Sequence, residues 1–197
     1  MPDRIAEHYE RHAHAFDSAR GKRFVERHWL QRFLLPLRRG GTILDLGCGG
    51  GEPVSRFLID SGFALTGVDS SEKMIALSRT RFARHIWLHA DMRAVMLDSG
   101  FDGVLAWDSL YHLRPADQRG MIARAAAWLK PNGRLLFNTV PAQGEAIEAY
   151  HDADLYHESL EPADYRDVFG KVGLAEIAFT PNDVATGGRS IWLLRKL

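Results

Sequence analysis

Cysteine is almost missing from this chain. Cys48 is the only one among 197 residues, so no intrachain disulfide framework can form, and a reducing compartment is expected. Net charge is missing too, because 25 Lys plus Arg balance 25 Asp plus Glu. No global field therefore draws in nucleic acid or an anionic membrane. No stretch approaches the ~18 consecutive apolar residues of a membrane helix. Met1-Pro2-Asp3-Arg4 opens no apolar run of the signal-peptide kind. Internal repeats and low-complexity segments are also lacking. The expectation is a cytoplasmic protein, monomeric or homodimeric, with no nucleic-acid or membrane partner.

What is present suits one ordinary domain: 46% of the residues are hydrophobic and 25% charged, enough for a core and too apolar for disorder. Residues 1–38 read as an N-terminal cap of two helices joined near Gly21, rich in His and aromatics. Strands are expected at 43–45, 64–69, 86–91, 101–107, 134–140, 174–180 and 190–196. Helices are expected at 53–61, 70–82 and 115–129, with Lys130-Pro131-Asn132-Gly133 as a turn. Residues 144–172 read as one or two helices with a break near Pro162. Strands alternating with helices predict an α/β fold, a doubly wound and mostly parallel seven-stranded sheet. The last two strands have no helix between them, so the final one should be antiparallel.

The run Asp45-Leu46-Gly47-Cys48-Gly49-Gly50-Gly51 follows the first strand and leads into a helix. Glycines there let backbone approach a ligand and adopt positive φ, and a helix start offers N–H groups. Asp69, Asp91 and Trp107-Asp108 fall at the ends of three further strands, the rim where doubly wound sheets bind ligands. Counted from Gly47, Glu52 takes the last place of a G-x-G-x-x-G/A dinucleotide fingerprint. A carboxylate there would repel a pyrophosphate but tolerates a cationic sulfonium with a zwitterionic tail. Cys48 reads as a small residue packed under the loop.

With these residues quoted, the chain resembles the class I S-adenosylmethionine-dependent methyltransferases of the small-molecule type. The glycine run, Gly67-Val68-Asp69-Ser70-Ser71, Ala90-Asp91-Met92, Phe101-Asp102-Gly103-Val104 and Leu129-Lys130-Pro131-Asn132-Gly133-Arg134-Leu135 carry the likeness over residues 40–140. It implies a Rossmann-like cofactor-binding core there, with 141–197 supplying acceptor-side helices and the closing strand pair. It also implies that Asp45 orders the loop formed with Gly47, Cys48, Gly49 and Gly51 and reaches the methionine ammonium. By the same likeness Asp69, with Ser70 beside it, holds both ribose hydroxyls. Asp91 and the Met92 N–H read the adenine, and the Trp107 backbone holds the methionine end. Met74 either packs on the adenine or belongs to the core. Tyr9 and Phe16 are seven apart on one helical face and are placed to cover the cofactor.

Methyl transfer from a sulfonium is an in-line displacement, so positioning and desolvation do most of the work. A base is needed only when the acceptor must lose a proton. Asp108, Tyr111 and His112, just past the fourth strand, are the catalytic candidates; His112 has the ordinary pKa range for a base, while the family resemblance also implies a structural histidine at that place. Trp107-Asp108-Ser109-Leu110 lacks the Asn/Asp-Pro-Pro-aromatic turn of nucleic-acid base methyltransferases. The short closing segments point to a small-molecule acceptor. His8 and His12 form an i,i+4 pair, but no HExxH context supports a metal, and none is expected. The polar cluster His151-Asp152-Ala153-Asp154 with Tyr150, Tyr156, His157 and Glu158 either meets the acceptor or is plain surface. Arg189 is either a hairpin residue or one that reaches the substrate mouth. The rival reading from another class is a non-catalytic module that binds S-adenosylmethionine or S-adenosylhomocysteine for protein contact. Aminopropyl transfer is a weaker rival, since no array of acids for a polyamine is evident.

Overall fold

The structure is a computed structural model that describes residues 5–20, 24–140, 146–150 and 153–197, with 146–150 and 153–156 described by backbone alone. Two helices come first, α1 (Ile5–Arg20) and α2 (Arg27–Leu34). Strands β1 (Thr42–Leu46), β2 (Ala64–Asp69), β3 (Ile86–His89), β4 (Phe101–Ala106) and β5 (Leu129–Thr139) then alternate with α3 (Val54–Asp60), α4 (Glu72–Arg81) and α5 (Pro115–Trp128). The chain closes with a hairpin of β6 (Ala146–Tyr150) and β7 (Ala153–His157), helix α6 (Pro162–Val172), and strands β8 (Leu174–Asp183) and β9 (Arg189–Lys196).

Seven strands form one sheet in the order β3-β2-β1-β4-β5-β9-β8. β1 pairs in parallel with β2 and β4, and β3 and β5 extend the parallel set outward. β9 runs antiparallel to both β5 and β8. Only a short 3₁₀ turn at Val184–Thr186 separates β8 from β9, too little chain for a parallel crossover.

Alternation along each strand splits the core into two layers. Ile43, Leu65, Leu105, Leu136 and Leu193 face Trp29, Leu30 and Phe33 of α2, Leu58 of α3 and Ile75 of α4. Leu44, Val68, Val104, Leu135 and Leu194 face Met121, Ile122 and Ala125 of α5 and Tyr165 and Phe169 of α6. Burial on both sides is why these strands read as nearly continuous apolar runs. Trp192 anchors the second layer, 3.9 Å from the Phe179 ring centroid and 6.1 Å from that of Phe137. A fully buried side chain of this size stabilises by roughly 1.5–3 kcal/mol.

Two expectations need correction. Residues 130–133 are not a turn before the fifth strand but a bulge inside it: Phe101 pairs with Leu129 and Gly103 with Arg134. Asn132 takes the left-handed conformation there (φ 66°), so the turn chemistry is spent without ending the pairing. Residues 146–150 and 153–157 are strands and not helix, paired antiparallel with Tyr150 opposite Ala153 and Ala146 opposite His157. Ala and Glu in this stretch favour a helix, but strand pairing overrides the propensity. Among the described residues of the expected helical region, only Pro162–Val172 is helix. Two strands also stop short of their expected ends: β3 at His89 and β4 at Ala106, which leaves Asp91, Trp107 and Asp108 on the turns that follow.

Candidate active site

Strand order reverses between β1 and β4, and the crevice outside their carboxyl ends is where this sheet can receive a ligand. The turn after β1 places Gly47, Gly49 and Gly51 at φ 78°, 54° and 84°, a region that penalises side chains. A Cβ on Gly47 would lie 2.5 Å from the Ser109 Cβ, so the turns after β1 and β4 touch backbone to side chain. The Ser109 hydroxyl seals that contact by donating to the Leu46 carbonyl at 2.7 Å. Asp69, ending β2, accepts from the Gly49 N–H at 2.8 Å and the Ser71 N–H at 2.9 Å. Capping of α4 falls instead to the Ser71 hydroxyl, which accepts from the Met74 N–H.

These turns wall a cavity of about 400 Å³. Asp45, Gly47, Cys48, Gly49, Asp69, Ser70 and Met74 form its floor, Asp91 and Met92 one end, and Trp107, Asp108, Ser109 and His112 the other. Tyr9, Phe16, Asp17 and Arg20 of α1 form the roof. Two expected site residues stand off the wall. Gly51 backs onto the Phe82 ring, 2.7 Å from where its Cβ would be. Tyr111 packs behind His112, with ring centroids 4.7 Å apart. Met74 is both wall and core, at 1% exposure.

Burial raises the Asp45 carboxyl to about 7, although the Ser55 hydroxyl donates to it at 2.8 Å. Burial also raises Asp69, against its two backbone hydrogen bonds. Burial, then the nearby Asp69 and Asp45, push the Cys48 thiol up, which disfavours the thiolate form. Asp91 differs. Burial opposes its ionisation, but the Arg93 side chain and N–H, at 2.6–3.1 Å, hold it below the usual range.

At the opposite end, Asp108 sits at φ 50°. Arg189 donates to both of its oxygens at 2.6 and 2.8 Å, and the Asn138 amide donates at 2.9 Å. Burial would raise Asp108, yet these partners leave it below the ordinary carboxylate range. Arg189 thus reaches the site through Asp108. His112 shares a 3.2 Å hydrogen bond with the Tyr9 hydroxyl. Burial, then neighbouring His157, lowers its pKa to about 3. Burial and Asp108 drive the Tyr111 phenol up. His157 packs 4.9 Å from both His112 and Tyr111. Of the rest of that polar cluster, His151 and Asp152 lie outside the described residues.

The roof helix α1 kinks at His12 (φ −105°, ψ 15°) and is tied down along its length. Glu10 accepts from the Ser71 hydroxyl at 2.7 Å and the Lys73 N–H at 3.1 Å. Asp17 pairs bidentately with Arg81 at 2.6 Å, and Arg81 also donates to the Gly50 carbonyl. Arg20 pairs with Glu26 and lies 3.9 Å from Asp108. Sequence reasoning missed Glu10, Asp17, Arg20 and Glu26. The signal was available for Arg20, because the helical spacing that joins Tyr9 to Phe16 continues to position 20. The His8 and His12 rings lie with centroids 4.7 Å apart, tilted by 39°, and among the described residues no three His, Cys, Asp or Glu side chains gather as a metal cage.

Comparison with known proteins gives a consistent answer. A family model described as "Methyltransferase domain" matches residues 13–176. The 27-O-demethylrifamycin SV methyltransferase of Amycolatopsis mediterranei (strain S699) is 38% identical over 109 residues, 52% of this chain and 39% of that protein. The putative methyltransferase YqeM of Bacillus subtilis (strain 168) is 35% identical over 134 residues, 64% of this chain and 52% of the relative. The chain spans about half the length, or less, of these curated relatives. In fold it matches the Burkholderia thailandensis 1,6-didemethyltoxoflavin-N1-methyltransferase, solved with 1,6-didemethyltoxoflavin and S-adenosylhomocysteine. The TM-score is 0.76 at 21% identity, covering 98% of this chain and 87% of that one. Among the described residues no helix is long and apolar enough to cross a membrane.

Proposed function

The chain belongs to the methyltransferase-domain family, and from that premise we propose that it moves a methyl group from S-adenosylmethionine to a small-molecule acceptor by in-line displacement. One arrangement carries this reading: Asp45, Asp69 and Asp91, from the ends of three adjacent strands, line a single cavity together with the glycine turn. Its volume suits a ligand of nucleoside size, on the usual scale of roughly 300–1,000 Å³. The residues fit the donor chemically. Asp69 keeps acceptor capacity for a vicinal diol after taking two N–H groups. Asp45 is poised to ionise against an ammonium, and Asp91 with the Met92 N–H meets a purine edge. The bound donor supplies an electrophilic methyl group on a sulfonium.

None of the three catalytic candidates is a strong base. Asp108 is neutralised by Arg189, Tyr111 keeps its proton, and His112 is neutral and weakly basic. His112, Tyr9 and Trp107 therefore act as walls and hydrogen-bond partners that exclude water and align the acceptor. This favours acceptors that are nucleophilic without deprotonation by a strong base. The printed names of one relative, a 27-O-demethylrifamycin SV methyltransferase, and of one neighbour in fold, a 1,6-didemethyltoxoflavin-N1-methyltransferase, support a small organic acceptor.

The test has two stages. Calorimetry with S-adenosylhomocysteine should show one site per chain. Incubation with S-adenosylmethionine and a small-metabolite panel should then release S-adenosylhomocysteine with particular acceptors. Failure to bind refutes the donor, and binding without turnover across the panel returns the chain to a non-catalytic binding module.

A further inference from the structure

A second cavity, of about 50 Å³, lies between the end of β5, the start of α6 and strands β8 and β9. Thr139, Ser159, Glu161, Phe179, Ser190 and Trp192 stand in its wall. Thr139 and Ser190 are opposite each other in the β5–β9 register, and side chains alternate along a strand. These two share the α6 side of the sheet with Phe137 and Trp192. Their neighbours Asn138 and Arg189 project to the other side and meet Asp108. The small cavity is therefore a separate space and not an extension of the large one.

We propose that this cavity binds a small neutral molecule, or one arm of it, through a carbonyl oxygen. Its volume is several times the roughly 10–15 Å³ that a single water needs. Trp192 is 1% exposed, and its Nε1 N–H is buried without an acceptor. Ser190, also buried, accepts from the Asn182 N–H at 3.2 Å and keeps its own proton to give. Ser159 takes the Val140 N–H at 3.1 Å and engages the Tyr165 hydroxyl, so it makes no further demand. A buried donor left without a partner is costly, and an oxygen in the cavity supplies one. The charges of the wall select which oxygen. Glu161 opposes a carboxylate or phosphate, and no Lys, Arg or His lines the cavity among the described residues. A ligand cation finds the aromatic faces taken, because the Arg166 guanidinium stands 5.3 Å from the Trp192 ring centroid and 5.2 Å from that of Phe179. What remains is a neutral oxygen acceptor held against an aromatic wall.

The probe is N-methylacetamide, titrated into the full chain while the indole N–H resonances of its 5 tryptophans are followed by NMR. Trp192→Phe identifies the resonance in question. Should that variant not fold, cross-relaxation to the Phe179 ring, whose centroid is 3.9 Å away, identifies it in the wild type. Trp29 and Trp87 already donate to Asp183 and to the Phe82 carbonyl and should stay still. The Trp192 resonance should move downfield and saturate, and it should do so equally with S-adenosylhomocysteine present. Ser190→Ala should weaken the probe by about fivefold, the scale of one hydrogen bond. No shift at Trp192 means that water alone fills the space, and overturns the proposal. So does a linear shift shared by all the indoles, which is a solvent effect, or a shift abolished by S-adenosylhomocysteine, which puts the probe in the large cavity. Acetate or methylammonium saturating the Trp192 resonance at lower concentration than the amide would overturn the assigned ligand class.

Discussion

The two ends of the cavity are built in different ways. The proposed donor end is local: the glycine turn, Asp69, Ser70, Met74, Asp91 and Met92 fall within one continuous stretch of the chain, near the ends of β1, β2 and β3. The acceptor end and the roof are assembled from distant residues. Tyr9 meets His112 across 103 positions, Arg189 meets Asp108 across 81, and Asp17 meets Arg81 across 64. The first construction presents Asp45 and Asp69, which take hydroxyl and backbone N–H donors, beside an Asp91 paired with Arg93. The second pairs Asp108 with Arg189 and leaves a neutral wall. Binding and chemistry should therefore respond to different substitutions.

The largest effect is expected at the distant construction. Arg189→Ala leaves the Asp108 carboxylate largely buried without its two strongest donors and should lower folding stability by roughly 3 kcal/mol. Denaturant unfolding checks it, and donor affinity should move by less than about threefold if the ends are independent. Asp69→Ala acts on the local construction. It should weaken S-adenosylhomocysteine binding by roughly 2–3 kcal/mol, because charge-assisted hydrogen bonds are lost; unchanged affinity by calorimetry would remove Asp69 from the donor site.

Next comes pH. Ammonium binding needs Asp45 ionised, and its carboxyl protonates near pH 7 in the unliganded chain. Donor affinity should fall by up to about tenfold per unit as pH drops below that value, with Asp45→Asn flattening the profile. The same raised pKa works against the unliganded fold. Its stability should decline as pH rises from about 4 to about 7, since the unfolded chain releases that proton first. His112→Ala should have the smallest effect. An imidazole with a pKa near 3 predicts a kcat loss of under about tenfold and no histidine limb near neutral pH. A loss of about 10²-fold would restore His112 as a base and blur the contrast between the two ends.

That contrast also explains what could be read from the amino-acid string. The doubly wound sheet and its antiparallel last strand followed from apolar runs and from the missing helix between β8 and β9. The glycine turn and the acids that follow it were legible because strand ends carry their own local signals. Asp108, Tyr111 and His112 were singled out only by their place after β4. Nothing nearby in sequence shows that Arg189 neutralises the first or that burial silences the other two. The strands at 146–150 and 153–157 were misread because Ala and Glu favour a helix while antiparallel pairing decides otherwise. Arg20 was overlooked although it shares the helical face of Tyr9 and Phe16, since a face says where a residue points and not which charge it meets.

The central claim is that Asp45, Asp69 and Asp91 together grip the methyl donor, and a crystal structure grown with S-adenosylhomocysteine tests it most directly. The account predicts ribose hydroxyls on Asp69, the amino-acid end beside Asp45 and the purine edge at Asp91 and Met92. Ligand density elsewhere, or a cavity empty at saturating ligand, would contradict it.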